Sequence, residues 1–311
     1  MTTLPSVTAF APATVANVSC GFDIMGFAIE GSGDIVSVEF AEQNEVVLSG
    51  PYGHLIPSAF EKNTASVAVT AYLKSINKTE LTCKIHLEKN MPLGSGMGSS
   101  ASSSAAAVFA MNHLLGNPLT TTELIPFAME GERVASGSAH ADNVAPSLLG
   151  GFVLIRSYAP LDIIQVTCPN DLFCTVVHPH IELHTSDARR ILQRDIPLHD
   201  VIKQTANTAG FMLGLLTNDY ALMGRSMNDL LAEPKRILLI PGFEEARKQA
   251  LLHGALGCGI SGSGPSIFAL CKGENTAHEI ATVIKKCFLA VGLESETFVS
   301  KMNVEGARIV S

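Results

Sequence analysis

The chain has 311 residues, 47% of them hydrophobic and 16% charged, with a formal net charge of −8 and no tryptophan. That length exceeds one ordinary hydrophobic core and predicts two domains, and the composition excludes a disordered chain. The negative balance argues against a nucleic-acid partner, since the basic residues are no denser than Arg189-Arg190, Lys235-Arg236 and Lys285-Lys286.

Seven cysteines, at positions 20, 83, 168, 174, 258, 271 and 287, are odd in number and form no Cys-x-x-Cys pair. They read as small core residues, without a disulfide framework or a structural zinc site. No lysine or arginine precedes Lys62, so a secretory leader is not expected. Apolar runs such as Gly150 to Ile155 are too short for a bilayer. A cytoplasmic protein with no membrane partner is the expectation.

In chain order, "VTAFAPATVANVSCGFD" opens as a strand and runs into a loop of small residues. Asp34 to Phe40 alternates polar and apolar as a strand does. Asn63 to Ile76 has helical spacing, and "TCKIHLEKN" is a strand that delivers the chain to a glycine loop. Ser99 to Leu115 predicts a helix ended by "GNP". Thr121 to Val134 predicts another, capped by Thr121 or Thr122. "GGFVLIR" reads as a buried strand. Ser157 to Asn170, with two prolines, is the expected boundary between domains 1–165 and 166–311. Beyond it, "LFCTVVHP" is a strand and "SDARRILQ" starts a helix capped by Ser186 or Asp187. Val201 to Leu216 and Tyr220 to Leu231 are helical. "CGISGSGPSIFAL" is strand, glycine turn, strand. Ala277 to Leu289 is a helix, and "ETFVSKM" and "ARIVS" are late strands. Helices and strands mix in both halves with no fixed-period repeat, so the class is α+β or α/β.

The stretch "MPLGSGMGSSASSSAAA", Met91 to Ala107, carries the chemistry. It lacks the lysine of a P-loop, the Gly-x-Gly-x-x-Gly spacing of a dinucleotide fold and the Gly-x-Ser-x-Gly of a nucleophile elbow. What remains is flexible backbone at Gly94, Gly96 and Gly98 ahead of a helix whose first N–H groups are free for an anion. A triphosphate suits such a site. A plain loop before a small-residue packing helix stays open on the residues alone.

"MPLGSGMGSSAS" resembles the ATP-binding motif of the GHMP small-molecule kinases, Pro-x-x-x-Gly-Leu-Gly-Ser-Ser-Ala, with Met97 where leucine is common. "FAPATVANVSCGFDIMGFAIE" and "GISGSGPSIFAL" resemble the family's first and last motifs, in the same order. The resemblance implies a two-domain GHMP kinase fold of class α+β, with an amino-terminal domain like ribosomal protein S5 and a ferredoxin-like α/β sandwich. It implies ATP and Mg2+ as well. Pro92, Leu93, Gly94, Ser95, Gly96, Met97, Gly98, Ser99, Ser100, Ala101 and Ser102 would bind ATP, with Asn63 on the adenine side. Ser100 and Glu132 would hold the metal, through the oxygen ligands magnesium takes.

"ATVANVSCGFD", "SGSAHADNVAPSLLGG", "TSDARRILQ" and "EPKRILLIPGF" resemble the branch of the family that phosphorylates the side-chain hydroxyl of L-homoserine, on the route to threonine. A zwitterion needs a carboxylate for its ammonium, and Asp23 is offered. It needs arginine forks for its carboxylate, and the resemblance assigns Arg189 and Arg236. Asn17, His140 and Thr185 complete the substrate shell. "HADNVAP" supplies Asn143, expected to orient the hydroxyl, and Asp142, the alternative proton acceptor. Each of these residues also has a plain structural reading, such as a loop brace for Asp23 or a surface pair with Glu233 for Arg236. His178, His180 and His184 are expected at the substrate entrance rather than on a metal, and the "SGSGPS" turn beside the site. A homodimer is a family-level expectation. The competing functions are a kinase for another alcohol such as mevalonate, a non-catalytic binder on the same fold, and a dehydrogenase, which the glycine spacing disfavours.

Overall fold

Two long strands start the fold: β1 (Ser6–Ala16) pairs antiparallel with β2 (Met25–Phe40). The computed structural model describes residues 5–137, 139–193 and 195–310. β2 begins nine residues before the expected strand start at Asp34 (34 − 25). Its interior glycines, Gly26, Gly31 and Gly33, made that half read as a loop. The register shift between Pro12 and Thr14 is the bend that lets one strand serve both halves of the molecule.

β3 (Glu45–Ser49) runs parallel to β4 (Cys83–Glu88), and β4 pairs with the far half of β2. β5 (Phe152–Tyr158) pairs with the near half of β2, and β6 (Leu161–Val166) pairs with β5. The last strand, β11 (Arg308–Ile309), returns to β1. Against this sheet lie α1 (Thr64–Ser75), α2 (Ser99–Leu114), α3 (Thr121–Ser136) and α4 (Ala141–Leu149). α2 touches both long strands and all three other helices. Its run of alanine and serine is therefore a packing requirement: Ala101 and Ala105 to Ala107 are fully buried. α3 is capped by Thr120 rather than Thr121 or Thr122, because Glu123 stands three residues on and closes a capping box with it.

The chain crosses to a second sheet between Val166 and Leu172. Its strands are β7 (Leu172–Pro179), β8 (Ala255–Ile260), β9 (Ile267–Lys272) and β10 (Ser295–Lys301), all antiparallel, in the order β10-β7-β9-β8. The helices are α5 (Thr185–Arg190), α6 (Leu198–Thr217), α7 (Tyr220–Ser226), α8 (Glu233–Arg236), α9 (Phe243–Leu252) and α10 (Glu274–Ala290). α5 starts behind His184, ahead of the expected caps Ser186 and Asp187. α7 stops at Ser226, short of Leu231, because the Asp229 carboxylate takes the N–H groups of Leu231, Ala232 and Glu233 in the turn that opens α8. α4, α8 and α9 were not foreseen. Pro146 hides the first, and acidic and basic residues hide the apolar stripe of the third.

One hydrophobic core lies between the first sheet and α1 to α4, and another between the second sheet and α9 and α10. A third joins the two sheets: Val15, Phe27 and Ile29 meet Cys174, Phe268 and Leu270, with Phe27 stacked on Phe152 and edge-on to Phe268. The two halves therefore share buried apolar surface, and the cavity described next opens where they meet. All seven cysteines are unpaired. Among the described residues no helix is long and apolar enough to cross a membrane.

Candidate active site

A cavity of about 370 Å³ runs between the start of α2 on one wall and the start of α5 with Arg236 on the other. Gly94, Gly96 and Gly98 all have positive φ (58°, 75° and 69°). A side chain at any of them would strike a neighbour. A Cβ on Gly98 would stand 2.1 Å from Thr14 Oγ1, and one on Gly96 would stand 2.5 Å from the Ser261 carbonyl. The glycines thus serve conformation and close approach together. The loop is tied across to the second half: Ser261 Oγ donates to Gly96 O (2.7 Å), and Ser266 N to Ser95 O (3.2 Å). Gly262 and Ser263 of the "SGSGPS" turn line the cavity, as expected of that turn.

Of the loop residues expected on ATP, Leu93, Gly94, Ser95, Gly96, Gly98, Ser99 and Ser100 line the cavity, and so does Asn63. Pro92, Met97, Ala101 and Ser102 do not. Met97 and Ala101 are turned into the core. Ser102 is fully buried; its hydroxyl donates to Ala11 O (2.7 Å) and accepts from Asp34 N (2.9 Å). It therefore fastens α2 to the sheet. Asn63 is also the cap of α1, its Oδ1 accepting from Ala65 N and its Nδ2 donating to Pro57 O.

Lys89, on sequence a weak candidate for the adenine side that is set aside in favour of Asn63, lines the cavity beneath the start of α2. Its ammonium is buried against the Asp34 carboxylate and donates to Ser99 O (2.6 Å) and Ser103 Oγ (3.0 Å). Burial pushes the Lys89 pKa down, and Asp34 opposes the shift. Three donors meet three acceptors, so this lysine braces the first turn of α2. The signal was present, a lysine on the strand leading into the loop, but nothing local pairs it with Asp34, 55 residues earlier.

Ser100 Oγ donates to the Glu132 carboxylate, and His140 Nδ1 lies 4.0 Å from the other oxygen of Glu132. A hydroxyl and a carboxylate side by side at a helix start are the hard oxygen donors that Mg2+ takes, leaving its other positions to water and phosphate. Among the described residues no group of three or more His, Cys, Asp or Glu is placed to hold a metal. His178 is buried on β7 against Ser266 Oγ (3.1 Å), and burial with His180 nearby pushes its pKa down to about 4. His184 lines the cavity mouth beside Glu182.

On the opposite wall, Asn17, Val18 and Ser19 form a left-handed turn, with φ of 70°, 44° and 56°. Such a turn costs about 1–2 kcal/mol per residue and persists only where the surroundings hold it. Asn17 Nδ2 donates to Gly262 O (2.7 Å), and Asn17 Oδ1 accepts from Asp23 N (3.0 Å). Cys20 O accepts from Gln204 Nε2 and Thr208 Oγ1 of α6. The turn presents Asp23 to Arg189, whose Nη2 donates to both carboxylate oxygens at 2.7 and 2.8 Å. Arg236 is buried, donating from Nη1 to Gly262 O (2.8 Å), and the Phe22 ring lies under both guanidinium groups. Arg236 forms no surface pair with Glu233, which binds Arg247 instead (2.6 Å). Thr185 stands at the start of α5, 3.4 Å from Ser263 Oγ.

α4 completes the site. His140 precedes it, and Asp142 and Asn143 lie in its first turn, all three on the cavity. Asn143 Oδ1 accepts from Thr14 Oγ1 (2.8 Å), which leaves its amide N–H₂ to offer a ligand. Asp142 is buried, and its Oδ1 has no hydrogen-bond partner. Burial, with Asp23 nearby, raises its pKa to about 7. Burial lowers the pKa of His140, but Glu132 and Asp142 outweigh it, so the net shift is upward; Nε2 of His140 is buried without a partner. Tyr158, which the sequence reading missed, links the walls by donating to Asp23 O (2.7 Å) and accepting from Ala141 N (3.3 Å).

One cavity thus has the start of α2 on one wall and Asp23, Arg189 and Arg236 on the other. Residues 63–151 match the family model of the GHMP kinases N terminal domain, and residues 211–289 match that of the GHMP kinases C terminal. The fold, α+β with GHMP kinase N- and C-terminal domains, is that of this class. The homoserine kinase of Chlorobium phaeovibrioides is 52% identical over 99% of this chain and 100% of its own. That of Chlorobaculum tepidum is 48% identical, covering 99% of both. The crystal structure of homoserine kinase from Cytophaga hutchinsonii superposes with a TM-score of 0.94 at 48% identity, covering 100% of this chain and 99% of that one. The chain belongs to the homoserine kinase family.

Proposed function

We propose that the chain transfers the γ-phosphoryl group of ATP to the side-chain hydroxyl of L-homoserine, giving O-phospho-L-homoserine for threonine synthesis in the cytoplasm. The observation that carries this is the pairing of two half-sites in one cavity: the N–H groups at the start of α2, and the Asp23–Arg189–Arg236 set facing them. Asp23 takes the ammonium of homoserine, and Arg189 and Arg236 take its carboxylate, with Asn17, His140 and Thr185 around them. A mevalonate-type substrate has no ammonium to occupy Asp23. The partners are the two substrates and a second copy of the chain.

Alignment does most of the catalytic work, since a loose phosphoryl transition state asks little of a base and good positioning is worth about 7–11 kcal/mol. Ser99 and the following amides hold phosphate oxygens. Ser100 and Glu132 would hold Mg2+, which when bound neutralises charge on the transferring group. The amide of Asn143 orients the attacking hydroxyl. Asp142, unpartnered on one oxygen and with a pKa near neutrality, receives the proton. The test is ADP release with MgATP against a panel of alcohols. L-homoserine should stimulate release and mevalonate should not. An enzyme unmoved by L-homoserine would reject the reading.

A further inference from the structure

Asp23 and Arg236 line one cavity but belong to separate pieces of chain. Asp23 follows the left-handed turn at Asn17, Val18 and Ser19, and Arg236 ends α8, a helix of four residues. Neither piece holds its own place. The turn is strained, and one helical turn is too short to be stable alone. Two charges meant for the two ends of one small molecule need a fixed separation, because a misplacement of about 1 Å can cost on the order of a hundredfold in rate.

Gln204 of α6 holds both pieces. It is buried and does not line the cavity. Its Nε2 donates to Cys20 O (2.9 Å), in the segment that leads to Asp23, and to Asp229 Oδ1 (3.2 Å). Its Oε1 accepts from Leu230 N (2.9 Å). Asp229 in turn accepts from the N–H groups of Leu231, Ala232 and Glu233, which fixes the start of α8. The direction of the amide is set by its neighbours. Leu230 N can only donate and so faces Oε1; Cys20 O can only accept and so faces Nε2. An apolar side chain of the same length would fill this place on the buried face of α6, beside Phe211 and Leu215, without burying an amide. What the amide adds is a bond to each of the two segments that carry substrate-facing charge. The other tie between them is on the cavity itself, where Gly262 O accepts from Asn17 Nδ2 and Arg236 Nη1 (2.7 and 2.8 Å).

We propose that Gln204 is a positioning residue for the amino-acid substrate: from outside the cavity it holds the segment carrying Asp23 and the helix carrying Arg236 at one fixed separation. The proposal rests on the reading of Asp23 and Arg236 as the partners of the ammonium and the carboxylate of L-homoserine. It gives Gln204 no contact with substrate, nucleotide or metal.

Gln204→Met tests it, since methionine keeps the length of the side chain and removes all three bonds. In the full chain, ADP release with MgATP should show the KM for L-homoserine raised about tenfold, the scale of leaving buried polar groups unpaired. The KM for ATP and kcat should stay within about twofold of wild type. The same change made in Asp23→Asn should raise the KM for L-homoserine by less than about twofold more, because a fixed separation matters only while both charges are present. A purely structural loss would act alike in both backgrounds and on both substrates. With a wild type active on L-homoserine, three results would overturn the proposal and leave the substrate reading standing: an unchanged KM in Gln204→Met, equal rises for both substrates, or the full penalty retained in Asp23→Asn. A wild type unmoved by L-homoserine would overturn both. Should Gln204→Met lose its far-ultraviolet circular dichroism, Gln204→Glu carries the same cycle, since it keeps the acceptor for Leu230 N and turns an oxygen toward Cys20 O and Asp229.

Discussion

Arg189 grips both oxygens of Asp23 from a single nitrogen, across 166 residues of sequence, and Arg236 lies over the same Phe22 ring. The ion pair keeps a carboxylate and a guanidinium in place before any zwitterion arrives. Neither has to be gathered at binding, which lowers the ordering cost of the ligand. Asp23→Asn should raise the KM for L-homoserine by about tenfold or more, the scale of one charge-assisted hydrogen bond. The KM for ATP should stay nearly unchanged. Initial rates with each substrate varied in turn would check this, and equal effects on both would remove Asp23 from the amino-acid side.

Arg236 has two duties, the cavity wall and a bond to the Gly262 carbonyl. Arg236→Leu should therefore raise the KM for L-homoserine by about 10- to 100-fold and also lower the melting temperature. Arg236→Lys should recover part of the stability but less of the KM, because an ammonium lacks the planar fork. Thermal unfolding and kinetics on the same preparations separate the two duties.

Gly98 sits at φ 69°, with Thr14 Oγ1 and Asn143 Oδ1 in the space a Cβ would take. Gly98→Ala should cost about 1–3 kcal/mol of stability and push Asn143 away from the start of α2. The expected kinetic outcome is a fall of about a hundredfold in kcat/KM. Thr14→Val removes only the hydroxyl that holds Asn143, and should lower kcat with little change in either KM.

Asp142 gives a pH signature. Its pKa in the folded chain is about 7, above the ordinary value of 3.8. The native state therefore holds this proton more tightly than the unfolded chain. The stability this contributes is complete below about pH 4 and is lost as pH rises through about 7. Asp142→Asn should leave the melting temperature near the wild-type value at pH 4 and raise it at pH 8, by up to about 4 kcal/mol in stability terms. As proton acceptor, Asp142 should also make wild-type kcat rise with pH through about 7. A variant that retains kcat and a flat profile would leave alignment alone responsible.

Ser100→Ala and Glu132→Gln each remove one hard oxygen from a pair that touches. Each should raise the Mg2+ concentration needed for half-maximal rate by about tenfold, within the range expected for losing one metal-site interaction. L-homoserine binding measured without nucleotide should hold its affinity. Magnesium titrations at fixed ATP, beside calorimetry with homoserine, would check both.

Much of this protein was legible in its sequence because the information is local. A glycine loop dictates its own positive φ angles, and apolar spacing dictates α1 and β4. Short motifs name a family whatever the chain does between them. What the sequence left open depends on residues far apart. The resemblance puts Ser102 with the ATP loop, and in the fold its hydroxyl fastens α2 to Ala11 and Asp34; a hydroxyl's partner cannot be read from its neighbours. Lys89, a weak adenine-side candidate on sequence, is buried by the fold on Asp34. β2 hid in a run of glycines because its pairing with β5 brings together positions more than a hundred residues apart. Local sequence determined many of the elements, the glycine loop and the types of charge available to a substrate. Only the tertiary structure decided which charges face one another, since burial removes water as a partner and leaves each polar group only the neighbours the fold provides.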